Sequence, residues 1–382
     1  MHALAIASLA IAGFGSAYAL GAMLVVRSFS RKRTVAAPPA LPGVTLLKPL
    51  YGAEPGLYEN LEAFCIQDYA APVQVLFGVH DSNDSVVPIV ERLIQEHPKS
   101  DIELVFSTSV RGANPKVANL AGMQKRIQHD VVIVSDSDVT VPNDYVARTV
   151  AALDEPGVGL VTCLYHGIAE GGLPAHLASM AVDYHFLPNV LVGIATGLAR
   201  PCFGATIALR RETLRSVGGF EAFLDALADD NAMGDAVRAT GLDVVVAPFV
   251  VGHRCVECSL GELVRHEIRW ARTIRAVSPV GYAGSIVTYP LPFALIGGFA
   301  TGSPLIGTLF TITAIACRLA LQIQVDRVLR VSLERWRLGP ARDLLAFVVH
   351  ILGFFVNVVS WRGKRFRVHA DGTLVPLPQS TP

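Results

Sequence analysis

The sequence predicts an α/β protein with a doubly wound, mostly parallel sheet and membrane-spanning segments at both ends. Short apolar strands alternate with amphipathic helices from residue 44 to about residue 140, which favours a parallel sheet with helices on both faces. The first 26 residues carry almost no charge, and long apolar runs return after residue 282. A run of about 20 such residues is long enough to cross a bilayer.

The charge pattern after the first apolar run predicts the orientation of the chain. Arg31, Lys32 and Arg33 follow this run, whereas a signal peptide has its basic residues first. The positive-inside rule then puts the following residues in the cytoplasm. We therefore expect an N-terminal transmembrane anchor over 1–26 and a basic, proline-containing linker over 27–43. A cytoplasmic domain should follow over 44–281.

Within that domain, hydrophobic periodicity locates the individual elements. Runs rich in β-branched residues predict strands, and apolar residues at three- and four-residue spacing predict helices. The expected strands are 44–47, 73–77, 102–106, 131–134, 157–165, 206–210 and 244–250. The expected helices are 55–68, 85–97, 116–128 and 222–239.

Residues 282–382 are predicted to form a C-terminal membrane region with two or three apolar segments and a basic tail. Segments 286–299 and 304–323 fit either two short spans or one span and a membrane-embedded hairpin. A third full span over 344–359 would place the basic residues 362–367 outside, against the positive-inside rule. A re-entrant or interfacial segment there would remove the conflict.

Composition limits the classes of partner. The chain has 382 residues, 52% of them hydrophobic and 17% charged, and its formal net charge is zero. A nucleic-acid-binding protein normally carries an excess of basic residues. We therefore expect no nucleic-acid partner.

Asp136 and Asp138 follow the most apolar strand, Val131–Val134. Alternate residues of an extended segment point the same way, so the two carboxylates can converge beyond the strand. Open α/β sheets bind ligands at the carboxyl ends of their strands. Two oxygen ligands there suit Mg²⁺ or Mn²⁺, which in turn would hold a diphosphate. The alternative is a solvated acidic turn.

Asp81 and Asp84 form a second acidic group, after the strand that begins at Val73. A carboxylate at this position can accept a hydrogen bond from a base, for example from the uracil imide. The alternative is that Asp84 caps the next helix, since aspartate satisfies free N–H groups there. Both interpretations can hold together: one residue caps the helix while Asp81 contacts the nucleobase.

Asp229 and Asp230 lie at the start of a helix-like stretch. In a catalytic interpretation, Asp230 removes a proton from an acceptor hydroxyl and Asp229 helps to raise its pKa. The alternative is that acidic residues favour a helix N-terminus through the helix dipole.

Basic residues at two further places could contact a diphosphate. Lys116 lies where a loop enters a helix, so it could meet a phosphate together with free backbone N–H groups. Arg269 and Arg272 share a helix face beside Trp270 and could clamp a diphosphate while the indole stacks on a sugar or base. The alternatives are a solvated lysine and a basic helix next to a membrane.

Several motifs occur together and in order along the chain. They are Lys48-Pro-Leu-Tyr-Gly, Phe77-Gly-Val-His-Asp81, Gly112-Ala-Asn-Pro-Lys116-Val-Ala-Asn119-Leu, Ser135-Asp-Ser-Asp138, Leu227-Ala-Asp-Asp230 and Arg269-Trp270. With membrane segments at both ends, this combination resembles the ceramide glucosyltransferase family, inverting glycosyltransferases of the GT-A fold, and its bacterial relatives of hopanoid biosynthesis. The resemblance spans about residues 1–370.

The resemblance implies roles for individual residues. It implies a nucleotide-binding Asp81, a metal motif formed by Asp136 and Asp138, and a catalytic base at Asp230. The remaining donor-binding residues that we expect from these motifs are Asp84, Lys116, Asn119, Arg269, Trp270 and Arg272.

The resemblance also implies a (Gln/Arg)-x-x-Arg-Trp signature that contacts donor and acceptor. It reads His266-Glu-Ile-Arg269-Trp270 in this chain. The first position departs from the family pattern, so the role of His266 stays open.

The resemblance predicts a membrane enzyme that moves one hexose, N-acetylglucosamine or glucose, from a UDP-sugar to a lipid hydroxyl. The expected acceptor is a hopanoid polyol such as bacteriohopanetetrol, and the alternative is ceramide with glucose as the donor sugar. The expected location is the bacterial inner membrane, with several spans and a cytoplasmic catalytic domain.

Two other classes of protein share some of these features. A transporter or channel would need polar groups along its spans, but the apolar segments hold few beyond Arg318, Gln322, His350 and Asn357. Arg318 and Gln322 lie near a segment end, from which they could reach the interface. A processive polysaccharide synthase would share the aspartate motifs but generally needs more transmembrane helices.

Overall fold

The structure, a computed structural model, describes residues 2–29, 40–107, 112–331, 333–356, 358–361, 364–368 and 373–377. The chain divides into an α/β unit, residues 33–165, 200–256 and 364–382, and a helical unit, residues 1–32, 166–199 and 257–363. This division differs from the single domain expected over 44–281, because 166–199 and 257–281 belong to the helical unit. Residues 30–39 of the expected linker lie outside the described residues.

The strands and helices are numbered in chain order. The strands are β1 (Val44–Pro49), β2 (Val73–Val79), β3 (Asp101–Phe106), β4 (Val131–Val134), β5 (Val139–Thr140), β6 (Val158–Ala169), β7 (Ile207–Arg210), β8 (Asp243–Cys255), β9 (Val358–Trp361), β10 (Lys364–Val368) and β11 (Leu374–Pro376). The helices are α1 (His2–Phe29), α2 (Leu57–Cys65), α3 (Val87–Glu96), α4 (Pro115–Met123), α5 (Tyr145–Leu153), α6 (Leu173–Ala181), α7 (Leu187–Ala195), α8 (Arg211–Ser216), α9 (Asp229–Ala239), α10 (Leu260–Val277), α11 (Pro279–Gly284), α12 (Pro290–Thr301), α13 (Pro304–Leu329) and α14 (Gly339–Gly353).

The α/β unit is built on an eight-stranded sheet with the order β3-β2-β1-β4-β7-β6-β8-β5. The first four strands in this order are parallel, as the alternating pattern predicts. The pairs β4–β7, β6–β7 and β5–β8 are antiparallel. The sheet is therefore mixed rather than mostly parallel. Helices α6 and α7 lie between β6 and β7 in the chain. Local hydrophobic periodicity therefore could not predict that β6 pairs with β7.

Apolar side chains cover both faces of the sheet. All four residues of β4 are buried, which agrees with the strand predicted there. On one face, the ring of Tyr145 packs edge-on against Phe64 and Phe249. On the other, Leu120 and Phe220 belong to a second apolar cluster. This double covering fixes the carboxyl ends of the parallel strands, where the polar motifs begin.

The helical unit packs small residues inside and exposes large apolar ones. Helix α1 buries a stripe of small residues comprising Ala5, Ser8, Ala12, Ser16, Ala19 and Ala22. Its exposed side chains include Leu4, Ile6, Phe14 and Leu24. Small residues allow close helix contact within a bilayer, where large apolar side chains face lipid. This arrangement is that of a membrane protein.

Within the described residues, three helical segments are long and apolar enough to cross a membrane. They are His2–Phe29, Leu173–Ala195 and Pro304–Leu329. A bent pair, Pro279–Thr288 and Pro290–Thr301, could supply a fourth, with 61° between its two parts. The segment at 173–195 was not anticipated, because only the two ends of the chain stand out as long apolar runs.

Arg318 is buried and paired inside the helical unit rather than reaching an interface as expected. Its Nη2 and Nε lie 2.8 and 2.9 Å from the two carboxylate oxygens of Asp343. Helix α14 has only 15 residues, fewer than the roughly 20 needed for a span, which fits a re-entrant or interfacial segment. Asn357 and residues 362–363 of the basic tail lie outside the described residues.

Candidate active site

The polar motifs of the α/β unit meet at one edge of its sheet. Asp81 follows β2 and Asp136 follows β4, and both strands run parallel to β1 between them. Their carboxyl ends therefore open at the same edge, the usual ligand-binding position of an open α/β sheet.

Lys116 joins three segments of the chain at this edge. Its Nζ lies 2.8 Å from Oδ1 of Asp136 and 3.2 Å from Oδ2 of Asp229. The lysine is almost fully buried, so it is not the solvated lysine considered above. Burial by itself lowers the pKa of a lysine, but the surrounding carboxylates, chiefly Asp136 and Asp229, raise the pKa of Lys116 above its usual value. This ammonium group is therefore firmly charged.

Asn114 explains why Lys116 points into the site. Its side-chain oxygen accepts hydrogen bonds from the backbone N–H groups of Lys116 and Val117, at 3.0 and 3.2 Å, and so caps α4. Its side-chain nitrogen donates to Oδ1 of Asp229 at 3.1 Å. One residue therefore sets both the start of the helix and the orientation of a neighbouring carboxylate.

Asp229 and Asp230 occupy the first turn of α9 but differ in environment. Asp229 is engaged by Asn114 and Lys116, whereas the half-buried Asp230 accepts hydrogen bonds from the backbone N–H groups of Gly204 and Asn231, at 2.9 and 2.8 Å. Burial raises the pKa of Asp230 to about 6; the charge of Asp229 adds to this rise and Lys116 opposes it. A carboxylate with this pKa is suited to accept a proton near neutral pH.

Gly204 brings the two aspartate motifs together. Its carbonyl accepts a hydrogen bond from the backbone N–H of Asp136 at 3.2 Å, and its own N–H donates to Asp230. A Cβ atom at this position would lie 2.6 Å from Oδ2 of Asp136 and 2.7 Å from Nζ of Lys116. A side chain at this position would force Asp136 and Lys116 to move, and glycine avoids this.

A second lysine, Lys48, lies fully buried beneath the Asp136 turn. Its Nζ donates to the backbone carbonyl of Asp136 and lies 3.7 Å from the centre of the Phe64 ring. Burial lowers the pKa of Lys48 to about 7, although the charges of Asp138 and Asp136 act in the opposite direction. The lysine holds the backbone of the turn that carries both carboxylates.

Asp138 lies on the other side of this turn, beside β8. Its carbonyl accepts a hydrogen bond from the backbone N–H of Arg254 at 2.9 Å, and its Oδ1 lies 3.6 Å from Nδ1 of His253. About a third of the side-chain surface of Asp136 and of Asp138 is exposed, so both carboxylates can be reached from solvent.

The other predicted donor-binding residues of this unit differ in how far their side chains are engaged. Asp81 is exposed, and its Oδ1 accepts a hydrogen bond from the backbone N–H of Asn83. The carboxylate of Asp84 accepts hydrogen bonds from the backbone of Gly52 and Val86, so it holds the turn before α3, whose N-cap is Val86 and not Asp84. Asn119 is buried and donates to the carbonyl of Gly78 at 2.7 Å, which ties α4 to β2.

The signature with Arg269 and Trp270 lies on α10, in the helical unit. Nδ1 of His266 lies 2.7 Å from Oε1 of Glu257, and its ring packs edge-on against Trp270 with 4.7 Å between ring centres. Arg272 is buried on the same helix. The structure therefore gives His266 a defined acidic partner, which the sequence motif alone did not indicate.

Sequence reasoning missed three residues that shape the site: Lys48, Asn114 and Gly204. The first two lie inside motifs quoted above, and an Asn-Pro pair at a helix start is a recognisable capping signal. Gly204 lies in no such motif, and its contacts arise only when β4, β7 and α9 are assembled.

Comparison with known proteins identifies one glycosyltransferase family that this chain resembles over most of its length. Residues 7–374 match the model of a family described as glycosyl transferase family 21. Ceramide glucosyltransferases 1 and 3 of Caenorhabditis elegans are 22% and 24% identical to this chain over 349 and 383 residues. The first alignment covers 88% of this chain and 74% of the relative, and the second covers 96% and 83%.

A solved structure is also similar to this chain along most of its length. The mannosyltransferase PcManGT from Pyrobaculum calidifontis, in complex with GDP-Man and Mn²⁺, has a TM-score of 0.51 at 22% sequence identity. The match covers 90% of this chain and 98% of that chain. The α/β unit therefore has a GT-A fold.

Proposed function

This chain belongs to glycosyl transferase family 21, and we propose that it transfers one hexose from a UDP-sugar to a hydroxyl group of a membrane lipid. The observation that carries the proposal is the group of Lys116, Asp136, Asp229 and Asp230, held by ion pairs and backbone hydrogen bonds at the ligand-binding edge of the sheet. The chain also contains membrane-type helices, which suits an acceptor that lies in a bilayer.

A divalent cation, Mg²⁺ or Mn²⁺, fits the donor set at the end of β4. Asp136 and Asp138 offer partly exposed carboxylate oxygens, the hard ligands that these ions prefer. The described residues contain no group of three or more His, Cys, Asp or Glu side chains able to enclose a metal. Two carboxylates still suit Mg²⁺, which usually keeps water and substrate phosphates as its other ligands. When bound, such a cation would neutralise charge that builds up on the leaving diphosphate.

The proposed reaction is a single displacement. Asp230 accepts the proton of the lipid hydroxyl while the oxygen of that hydroxyl attacks the anomeric carbon. The new C–O bond forms as the bond from the anomeric carbon to the diphosphate oxygen breaks, and UDP leaves on the opposite face. Burial raises the pKa of Asp230, and the charge of Asp229, which is fixed by Asn114 and Lys116, adds to this rise, so the base works near neutral pH. The product is a β-linked sugar if the donor is α-linked.

The remaining residues are assigned to the donor. We assign Asp81 to binding of the nucleobase of the donor, because its carboxylate is exposed at the same edge as Asp136. Asp84 and Asn119 would support the donor site indirectly, because their side chains form hydrogen bonds with the backbone of Gly52 and Gly78. The family signature assigns Arg269 and Trp270 to contacts with the donor and the acceptor, and we assign Arg272 to the donor because it shares a helix face with Arg269. His266, held by Glu257, would take the place of the usual Gln or Arg.

The proposed acceptor is a hopanoid polyol, with N-acetylglucosamine or glucose as the transferred sugar. This choice rests on the form of the Ser135-Asp-Ser-Asp138 motif and on His266. Ceramide, with glucose as the sugar, is the second candidate, and the names of the two nematode relatives favour it. We place the protein in a bacterial inner membrane with its α/β unit in the cytoplasm, as the basic residues after the first apolar run suggest.

The test is to incubate membranes that contain the protein with labelled UDP-N-acetylglucosamine or UDP-glucose and to separate the products by thin-layer chromatography. Label in a lipid that carries a single sugar supports the proposal. Label in a long water-soluble polymer would instead identify a processive synthase.

A further inference from the structure

A basic pocket opens at the end of the α/β unit opposite the candidate active site. Its volume is about 260 Å³, and it is lined by residues from the turn that follows α4 and from α8, namely Gln124, Lys125, Ile127, Arg211, Leu214 and Arg215. In the antiparallel pair of β4 and β7, Arg210 lies opposite Val131, the first residue of β4. Asp136 instead follows the last residue of β4, so the strand separates the two sites.

The polar side chains of the pocket offer hydrogen-bond donors and almost no acceptors. Lysine and arginine only donate. The single side-chain acceptor atom in the lining, Oε1 of Gln124, already accepts a hydrogen bond from the backbone N–H of Phe220 at 2.9 Å. The amide nitrogen of Gln124 therefore adds a further donor. A lining of this kind suits a ligand that supplies only acceptors.

The positive side chains that line the pocket have fewer carboxylate partners than the positive side chains next to it. Just outside the lining, Arg126 lies 3.4 Å from Glu103 and Arg210 lies 2.8 Å from Asp154. Within the described residues, neither Lys125 nor Arg215 forms an ion pair, although both flank the pocket. Lys125, Arg211 and Arg215 bring three positive charges to one concavity, and an anion placed there would be attracted by all three.

Arg211 is held in place at the wall of the pocket. Its Nη1 donates to the carbonyl of Ile127 at 3.2 Å, and its Nη2 lies 3.9 Å from Oδ1 of Asp130. A guanidinium has five N–H donors, so these contacts leave others for a ligand. Arginine binds the planar array of oxygens on a phosphate group better than lysine does, because its donors form a rigid fork.

We propose that this pocket binds a phosphate-bearing anion with at least two negative charges, either a soluble diphosphate or the headgroup of an anionic phospholipid. Three cations match such a charge, and the pocket has room for several times the roughly 30 Å³ that one water molecule occupies in the liquid. Ile127 and Leu214 provide an apolar floor beside the donors. The site is independent of the proposed transfer reaction and uses none of its residues.

The first test is calorimetric titration of the full-length protein in neutral detergent with inorganic pyrophosphate. EDTA in the buffer removes divalent cations, which weakens binding of the probe at the aspartate site. We expect saturable binding that weakens about tenfold or more in the double variant Lys125→Gln/Arg215→Gln. The matched control, Arg92→Gln/Lys99→Gln, removes two exposed charges elsewhere on the same unit and should bind like the unchanged protein.

The second test uses native mass spectrometry to count phosphatidylglycerol bound from mixed micelles with phosphatidylcholine. A headgroup site predicts that the double variant loses bound phosphatidylglycerol relative to the control, whereas a soluble ligand predicts a change with pyrophosphate alone. Unchanged binding of both probes would overturn the proposal. Thermal unfolding checks the fold of the double variant, and Lys125→Gln alone, at an exposed side chain, provides a milder second variant.

Discussion

The side-chain nitrogen of Lys116 lies 2.8 Å from Oδ1 of Asp136, so the start of α4 is joined directly to the end of β4. The same nitrogen lies 3.2 Å from Asp229 at the start of α9. One buried cation therefore holds three polar motifs that are far apart in the chain, and it offsets the repulsion between their carboxylates. Lys116 therefore connects the aspartates of the candidate active site.

Replacing Lys116 with methionine should destabilise the protein and impair donor binding. Loss of the cation leaves the buried carboxylate of Asp229 without its charge partner, which should lower the free energy of unfolding by about 3 kcal/mol. Denaturant titration in detergent measures the loss, with Lys99→Met at an exposed position as the control. Equal stability of the two variants would mean that Lys116 does not hold the site together.

Asp230→Asn should abolish transfer and leave the binding of UDP largely intact. The amide cannot accept the proton of the acceptor, and loss of a general base typically costs about 10²–10⁴ in rate. The matched control is Asp235→Asn on the exposed face of the same helix, which should retain activity. Turnover and UDP affinity are measured side by side. Retained turnover in Asp230→Asn would remove this residue from the base role.

The rate of transfer should rise with pH through about 6 at a fixed, saturating concentration of metal. Burial raises the pKa of Asp230 to about 6, and the base works only when ionised, so activity is lost as the pH falls below that value. Asp229→Asn removes the neighbouring negative charge and should move the acidic limb to lower pH. The pH–rate profiles of the two proteins test this, and coincident profiles would contradict it.

Gly204→Ala should reduce activity sharply. The added methyl group would lie 2.6 Å from Asp136 and 2.7 Å from Lys116, so it must push the two partners apart. Gly261→Ala is the control, because a Cβ at that position meets no atom within 4 Å. The comparison of kcat for the two variants measures the effect. Similar activity in both would show that the close approach at Gly204 has no role in transfer.

Local pattern predicted the parallel half of the sheet and the positions of the polar motifs. The strand Val131–Val134 has the predicted bounds, because a short run of β-branched residues between polar residues leaves little freedom. The pairing of β4 with β7 was not predictable, since these strands meet only after the chain has passed through α6 and α7. Long-range strand pairing depends on tertiary packing, which local hydrophobic periodicity does not report.

The candidate site shows the same division. Asp136, Asp138 and Asp230 could be proposed from the sequence because their motifs occur in order with the others, although each pair alone also fits a solvated turn or a helix N-terminus. Lys48 does not stand out, although it lies fully buried under the Asp136 turn. A buried lysine looks like any other lysine until its partners are known, so the structure was needed to find it.

The most direct measurement of the central claim is lipid glycosylation by the purified protein in detergent. Labelled UDP-N-acetylglucosamine or UDP-glucose is supplied with Mg²⁺ and with either a hopanoid polyol or ceramide, and the lipid extract is analysed by mass spectrometry. We predict one sugar on the hopanoid polyol, and no product with Asp230→Asn. Product on ceramide alone would show that the acceptor is ceramide and not the hopanoid polyol. Absence of any sugar-bearing lipid with every donor would contradict the proposed lipid glycosylation.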